Sequence, residues 1–233
     1  MSNRQSLLTR ITNPKYIMVY ATIGIFFVIY ALGGVLYGDK GFLTLRTFVN
    51  LFIDNAYFGI SAVGMTMVLI TGGIDLSVGA VASLTGMFIA YGTSVLNLHP
   101  LTCIAAALVM GVGLGLLMGW VIHYLNVPAF ITTLTGMFFA RGVCSLISRE
   151  SIDINHPVID ALAGWKIYLM KYADGNWVKI KPIAFVNFNV ILFVIMIIIG
   201  TFILQKTRFG RNIYAIGGSE QSAALMGLPV GRT

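Results

Sequence analysis

Apolar runs of membrane-spanning length alternate with short polar breaks along the whole chain. They cover about 17–37, 48–70, 77–96, 101–122, 129–147 and 183–204. An α-helix rises about 1.5 Å per residue, so about 20 apolar residues cross the hydrocarbon layer of a bilayer. The pattern predicts an all-α fold: a polytopic transmembrane helix bundle of about six spans within residues 1–205, followed by a cytoplasmic segment over 206–233. Gly38-Asp39-Lys40-Gly41 makes a turn after the first run. Leu98-His99-Pro100 joins the third run to the fourth, and Tyr124 to Pro128 joins the fourth to the fifth. Pro128 suits a helix start, where its missing N–H is not needed. Residues 148–182 form instead a long polar loop, with Glu150, Asp153, Asp160 and Asp174 among Trp165, Tyr168 and Trp177.

One stretch breaks the pattern. Leu69-Ile70-Thr71-Gly72-Gly73-Ile74-Asp75-Leu76-Ser77-Val78-Gly79 places paired glycines and a carboxylate between two apolar runs. A charge at membrane depth is costly and normally faces protein, water or a substrate path. Paired glycines unwind a helix, and unwound backbone is tolerated at depth only when buried in protein or lining a cavity. Two structures fit this stretch. One is a tight cytoplasmic turn in which Asp75 caps the following helix through Ser77. The other is a broken helix, with the second and third spans as half-helices around Gly72-Gly73.

Charge supplies an orientation. Arg4, Arg10 and Lys15 precede the first run without an acid, and Lys206, Arg208 and Arg211 follow the last. The positive-inside rule puts both ends in the cytoplasm, six spans being even, and the 148–182 loop outside. The first run also resembles a signal peptide, with a small-residue site at Ala31-Leu32-Gly33, but its length and the spans behind it favour an uncleaved helix. Composition agrees: 58% of residues are hydrophobic and 10% charged, where a soluble domain carries about 25% charged residues. The net charge of +7 is dispersed between spans, so it reads as topology and not as a nucleic-acid surface. Cys103 and Cys144 fall inside apolar runs and imply no disulfide framework.

Candidate chemistry is sparse. Gly111, Gly115 and Gly119 lie four apart on the fourth span and would let another helix approach closely. They do not form a phosphate loop, since no GxGxxG pattern or Walker lysine accompanies them. The chain therefore carries no nucleotide site, and it is expected to be neither an enzyme nor a cofactor protein. His99, His123 and His156 lack ligand spacing, so no metal is expected. Asp54 and Arg141 lie at matched depth in the second and fifth spans, which suggests a charge pair in the outer half of the bundle. The alternative leaves Arg141 snorkelling to the interface and Asp54 in water. After the last span, Ser219 is an N-cap, Glu220 suits a helix start, and Gly227 with Pro229 closes a helix of about two turns. So short a helix is marginal alone. With Ala223, Ala224, Leu225 and Met226 as its apolar content, it is expected to dock on a cytoplasmic partner or to fold back on its own bundle.

Three stretches carry a family resemblance. They are Gly64 through Gly79; Val127-Pro128-Ala129-Phe130-Ile131-Thr132-Thr133-Leu134-Thr135-Gly136-Met137 with Arg141-Gly142; and Thr207-Arg208-Phe209-Gly210-Arg211 through Gly227. Their order and spacing resemble the permease subunits of bacterial ABC importers for ribose, xylose and galactose. Within that family, Glu150-Ser151-Ile152-Asp153-Ile154-Asn155-His156-Pro157 is most similar to the second permease of galactofuranose importers. The resemblance implies a bacterial inner-membrane protein that works with an ABC ATPase subunit, a second permease subunit and a periplasmic sugar-binding protein. It further implies that Ser219, Glu220, Ala223, Ala224, Leu225, Met226 and Gly227 form the coupling helix that docks on the ATPase. Asn55, Thr66, Thr71, Gly72, Gly73, Asp75, Ser77, Thr132, Thr133 and Thr135 are then the groups placed to line or shape the sugar path. Relatives continue with further spans beyond the coupling helix, so a fragment or truncated permease is expected. A secondary transporter or channel, and a truncated membrane protein that does not transport, are the competing functions.

Overall fold

The computed structural model describes residues 14–173, 176–179 and 183–233. Arg4, Arg10 and Asp174, which entered the orientation argument, lie outside the described residues. The fold is an all-α polytopic membrane bundle, built from α1 (Pro14–Tyr37), α2 (Leu45–Ile70), α3 (Val78–Ser94), α4 (Pro100–Tyr124), α5 (Ala129–Ile147), α6 (Pro157–Gly164), α7 (Phe188–Lys206), α8 (Arg208–Gly218) and α9 (Glu220–Leu225). Among the described residues, α1, α2, α4, α5 and α7 are long and apolar enough to cross a membrane, while α3 is a shorter apolar helix. The expected sixth span starts later than 183, because Phe185–Asn187 is a short strand and Asn187 caps α7 by accepting the Val190 N–H at 3.2 Å. The 148–182 loop holds α6 and the strand pair Met170–Ala173 and Asn176–Lys179, which run antiparallel.

The chain divides into two compact units. One unit contains the chain up to Phe52 together with Tyr168–Phe185. Within it, the turn after α1 folds back on the helix. Gly41 takes a left-handed φ of 76°, open to glycine without steric cost. The Phe42 ring then packs over Gly33 and meets Tyr30 at 5.2 Å between centroids.

The second unit, Ile53–Ile167 with Val186–Thr233, carries the break and the tail. Its core is made of small side chains that let helices approach: Ala80 and Leu84 of α3 against Ala140 of α5, flanked by Met110 and Leu114 of α4. Gly92 of α3 sits against the Cys103 sulfur of α4, and Gly200 of α7 against Val63 of α2. Such contacts are how membrane helices associate, since lipid offers no hydrophobic drive between them. The glycines of α4 behave differently. A Cβ built on Gly111, Gly115 or Gly119 meets nothing within 4 Å. No helix of this chain packs on that face among the described residues, and the expected close approach is left open.

Candidate functional site

The segment between α2 and α3 fits neither predicted structure whole, since α2 is an unbroken helix of 26 residues, long enough to cross a membrane, and not a half-helix. Nor is the segment a tight turn. Gly72 leaves α2 with a φ of 84°, and the Gly72 and Gly73 N–H groups close the helix onto Leu69 and Val68 carbonyls. The chain then runs extended beside the first two turns of α5. Gly73 lies against Ala129, the Ile74–Leu76 backbone against Thr133, and Ser77 against Gly136. The start of α3 shares a cleft with Tyr57, Phe58 and Ser61 of α2, and not with the α2 terminus. Ser61 lies nine residues before Ile70, or about 14 Å along the helix. The third span is therefore composite, an unwound leg followed by a helix of 17 residues, about 25 Å long.

Unwound backbone in a membrane must find partners within the protein. Thr133 supplies them: its hydroxyl accepts the Leu76 N–H at 3.2 Å and donates to the Ile74 carbonyl at 3.1 Å. Asp75 supplies a further one. Its Oδ1 accepts the Ser77 N–H at 2.8 Å and the Ser77 hydroxyl at 2.6 Å, tying the carboxylate to the start of α3. The capping role predicted with the turn is thus present, inside a broken span. Ser77 is 1% exposed and Thr133 4%, so both act within the protein. Thr132 is also buried, and its hydroxyl has no partner.

The other predicted path residues scatter. Asn55 and Thr66 are exposed on α2, and Thr66 bonds back to the Ala62 carbonyl at 2.7 Å. Thr71 bonds to the Val68 carbonyl at 2.7 Å, and exposed Thr135 to the Ile131 carbonyl at 2.9 Å. The structure does not bring Asp54 and Arg141 together: both are exposed, and no ion pair joins them among the described residues. Depth follows from position along a helix and says nothing about rotation around its axis. No group of three or more His, Cys, Asp or Glu side chains suited to a metal occurs among the described residues.

The tail folds under the end of the bundle where α2, α4 and α7 finish. Thr207 ends α7 by donating to the Ile203 carbonyl at 2.6 Å and starts α8 by accepting the Gly210 N–H at 3.1 Å. α8 was not foreseen. Its signal was Phe209, Ile213 and Ile216 recurring at helical spacing among Arg208, Arg211 and Asn212, masked by three glycines in eleven residues. Glycine is required at two of them. A Cβ on Gly210 would overlap the Leu204 and Ile203 carbonyls, and one on Gly217 would overlap the Ile70 carbonyl where the unwound leg begins. Ser219 then caps α9 as predicted, accepting the Ser222 N–H at 3.2 Å. Gly227, at φ 76°, closes it in a Schellman arrangement, with Gly227 and Leu228 N–H groups on the Ala224 and Ala223 carbonyls. Gly231 finally meets the His123 ring at the end of α4. The tail folds back on the chain through buried Ile213 and Ala223, while Leu225 is 90% and Met226 68% exposed.

Apolar spans around a capped, unwound leg, with an amphipathic tail seated at its origin, define a multi-pass membrane protein of the helix-bundle class. Residues 47–233 match the family described as branched-chain amino acid transport system / permease component, and the chain belongs to that family. It is 44% identical over 209 residues to the inner membrane ABC transporter permease protein YjfF of Escherichia coli K12, covering 89% of this chain and 59% of that protein. It is 38% identical to the fructose import permease protein FruG of Bifidobacterium longum, covering 94% and 62%. It is 32% identical to the ribose import permease protein RbsC of Escherichia coli K12, covering 83% and 57%. The chain thus spans less than two thirds of the length of these relatives. No solved structure matches it.

Proposed function

We propose that the chain serves as a transmembrane permease subunit of an ABC importer in a bacterial inner membrane, with the tail and the N-terminus on the cytoplasmic side. It forms part of the path of a monosaccharide, galactofuranose by the resemblance of residues 150–157, and couples that path to ATP hydrolysis by a partner. The observation that carries this reading is the contact of Gly217 with the Ile70 carbonyl, which seats the tail at the foot of the unwound leg. The exposed Ala224, Leu225 and Met226 present an apolar end for an ATPase groove, with Glu220 beside them, while buried Ala223 and the caps Ser219 and Gly227 hold α9 in shape.

A push on α9 passes through α8 to Ile70 and Thr71. Gly72 and Gly73 hinge there, and the leg carrying Asp75 and Ser77 slides along Thr132 and Thr133 of α5. Packed elements of this kind shift between discrete arrangements rather than deforming continuously. The sugar needs no covalent chemistry, only hydroxyl and amide partners in exchange for water. A periplasmic sugar-binding protein delivers it, and a second permease subunit supplies helix packing for the open Gly111, Gly115 and Gly119 face.

The test is affinity purification in mild detergent of tagged chain co-expressed with its ATPase, comparing wild type with Ala224→Glu. Capture by wild type and loss in the variant is the expected result. Capture by neither, or sugar uptake that persists without the ATPase, overturns the importer reading and leaves a secondary transporter or channel.

A further inference from the structure

α8 crosses the foot of the bundle from the end of α7 to the end of α2, with Gly210 against the Ile203 and Leu204 carbonyls and Gly217 against the Ile70 carbonyl. Val63 of α2 sits against Gly200 of α7, which gives the two spans a common level. Measured from it along each helix, Leu204 lies about 6 Å and Ile70 about 10 Å further on. α8 thus rises about 4 Å over the roughly 10 Å between Gly210 and Gly217, closer to the membrane plane than to its normal. We infer that α8, with the last turn of α7, is a binding surface for the headgroups of anionic phospholipids, which Lys206, Arg208 and Arg211 hold.

Three observations carry the inference. First, the charge is of one sign and unspent. Residues 205–219 hold these three cations and no carboxylate. All three side chains are exposed, and none makes an ion pair or hydrogen bond among the described residues. Basic side chains at the end of a span are drawn to an anionic leaflet. Second, an apolar stripe leads to them. Ile198 and Phe202 are exposed on α7, and Lys206 is the next residue on that helix face, four positions on. A lysine there lays its apolar stem along the span and puts its ammonium group among the headgroups.

Third, α8 is amphipathic in the manner of a helix lying in an interface. Gly210, Ile213 and Gly217 form the side turned to the bundle. At 3.6 residues per turn, Phe209 and Tyr214 stand about 70° to either side of that line, and Arg208 and Arg211 lie beyond them. Both rings are exposed, and aromatic flanks suit the boundary between acyl chains and headgroups. The two guanidinium groups then meet phosphate oxygens, which they bind in bidentate fashion. An acidic protein partner would cover only the outward side and leave Lys206, Phe209 and Tyr214 bare. The inference stands on this surface and not on the transport function proposed above.

The test offers phosphatidylglycerol and phosphatidylcholine to the whole chain purified in detergent and measures bound lipid by native mass spectrometry. Phosphatidylglycerol is expected to bind at least about tenfold more tightly. Lys206→Gln, Arg208→Gln and Arg211→Gln should each weaken it about fivefold, the worth of one cation at an anionic surface, and the triple change should abolish the preference. The three side chains make no bonds within the chain, so these variants should melt with wild type. Arg149→Gln also removes an exposed cation, past the end of α5, and should leave the preference unchanged. Inorganic phosphate should not displace the lipid, because it lacks the acyl chains that α7 and the two rings receive. Equal binding of the two lipids, displacement by phosphate, or a preference that falls as far with Arg149→Gln overturns the inference. So does a preference that survives the triple change; if that change abolishes ATPase capture instead, the cations belong to the protein partner.

Discussion

Replacing Thr133 by valine should be among the more damaging single changes in the bundle, although it alters the side chain's shape very little. The Thr133 hydroxyl accepts the Leu76 N–H at 3.2 Å and donates to the Ile74 carbonyl at 3.1 Å, with the Phe130 carbonyl of its own helix at 3.3 Å as competitor. Valine fills the same space and makes neither bond. One backbone donor and one backbone acceptor of the unwound leg are then orphaned where water is scarce. Each costs about 1–3 kcal/mol, so the change should destabilise by about 2–6 kcal/mol. Thr133→Ser keeps the hydroxyl and loses a methyl group, worth about 0.8 kcal/mol. The neighbouring Thr132 is an internal control: it is 7% exposed and its hydroxyl has no partner. Thr132→Val should therefore be neutral or stabilising by up to about 1 kcal/mol. Unfolding free energies from detergent titration of the purified variants give all three numbers. If Thr133→Val unfolds as easily as Thr133→Ser, or if both valine variants lose the same amount, the hydroxyl bridge does not hold the leg.

Gly217→Val should detach α8 from the foot of α2, because its Cβ would overlap a backbone carbonyl that cannot give way. Trypsin cleavage at Arg208 and Arg211 should then accelerate about tenfold through local opening; an unchanged rate would show that the contact is dispensable. Gly115→Leu meets open space and gains helix propensity of up to about 1 kcal/mol, so it should not destabilise the isolated chain. A loss above about 1 kcal/mol, read in the same detergent titration, would mean that a helix of this chain occupies that face after all.

Span positions were legible because a bilayer demands long, uninterrupted apolar runs, and little else in this sequence supplies them. Caps were legible for a similar reason. Ser219 and Gly227 are local devices whose partners lie within four residues, so α9 could be read from its own ends. Whatever depended on rotation about a helix axis could not. Asp54 and Arg141 share a depth but not a neighbour, and the α4 glycines mark a contact face without a contact. The unwound leg lies between these cases. Gly72, Gly73 and Asp75 announced a break, but choosing between turn and broken span required Thr133, fifty-seven residues from Leu76. Its signal was present as a Thr-Thr pair in the first turns of a mainly apolar helix, a costly placement unless one hydroxyl serves a distant backbone. The buried, unpartnered Thr93 and Thr132 show the limit of that rule. A hydroxyl on an apolar helix identifies a position with hydrogen-bonding capacity, and only tertiary structure tells whether that capacity is spent on the fold or left unused.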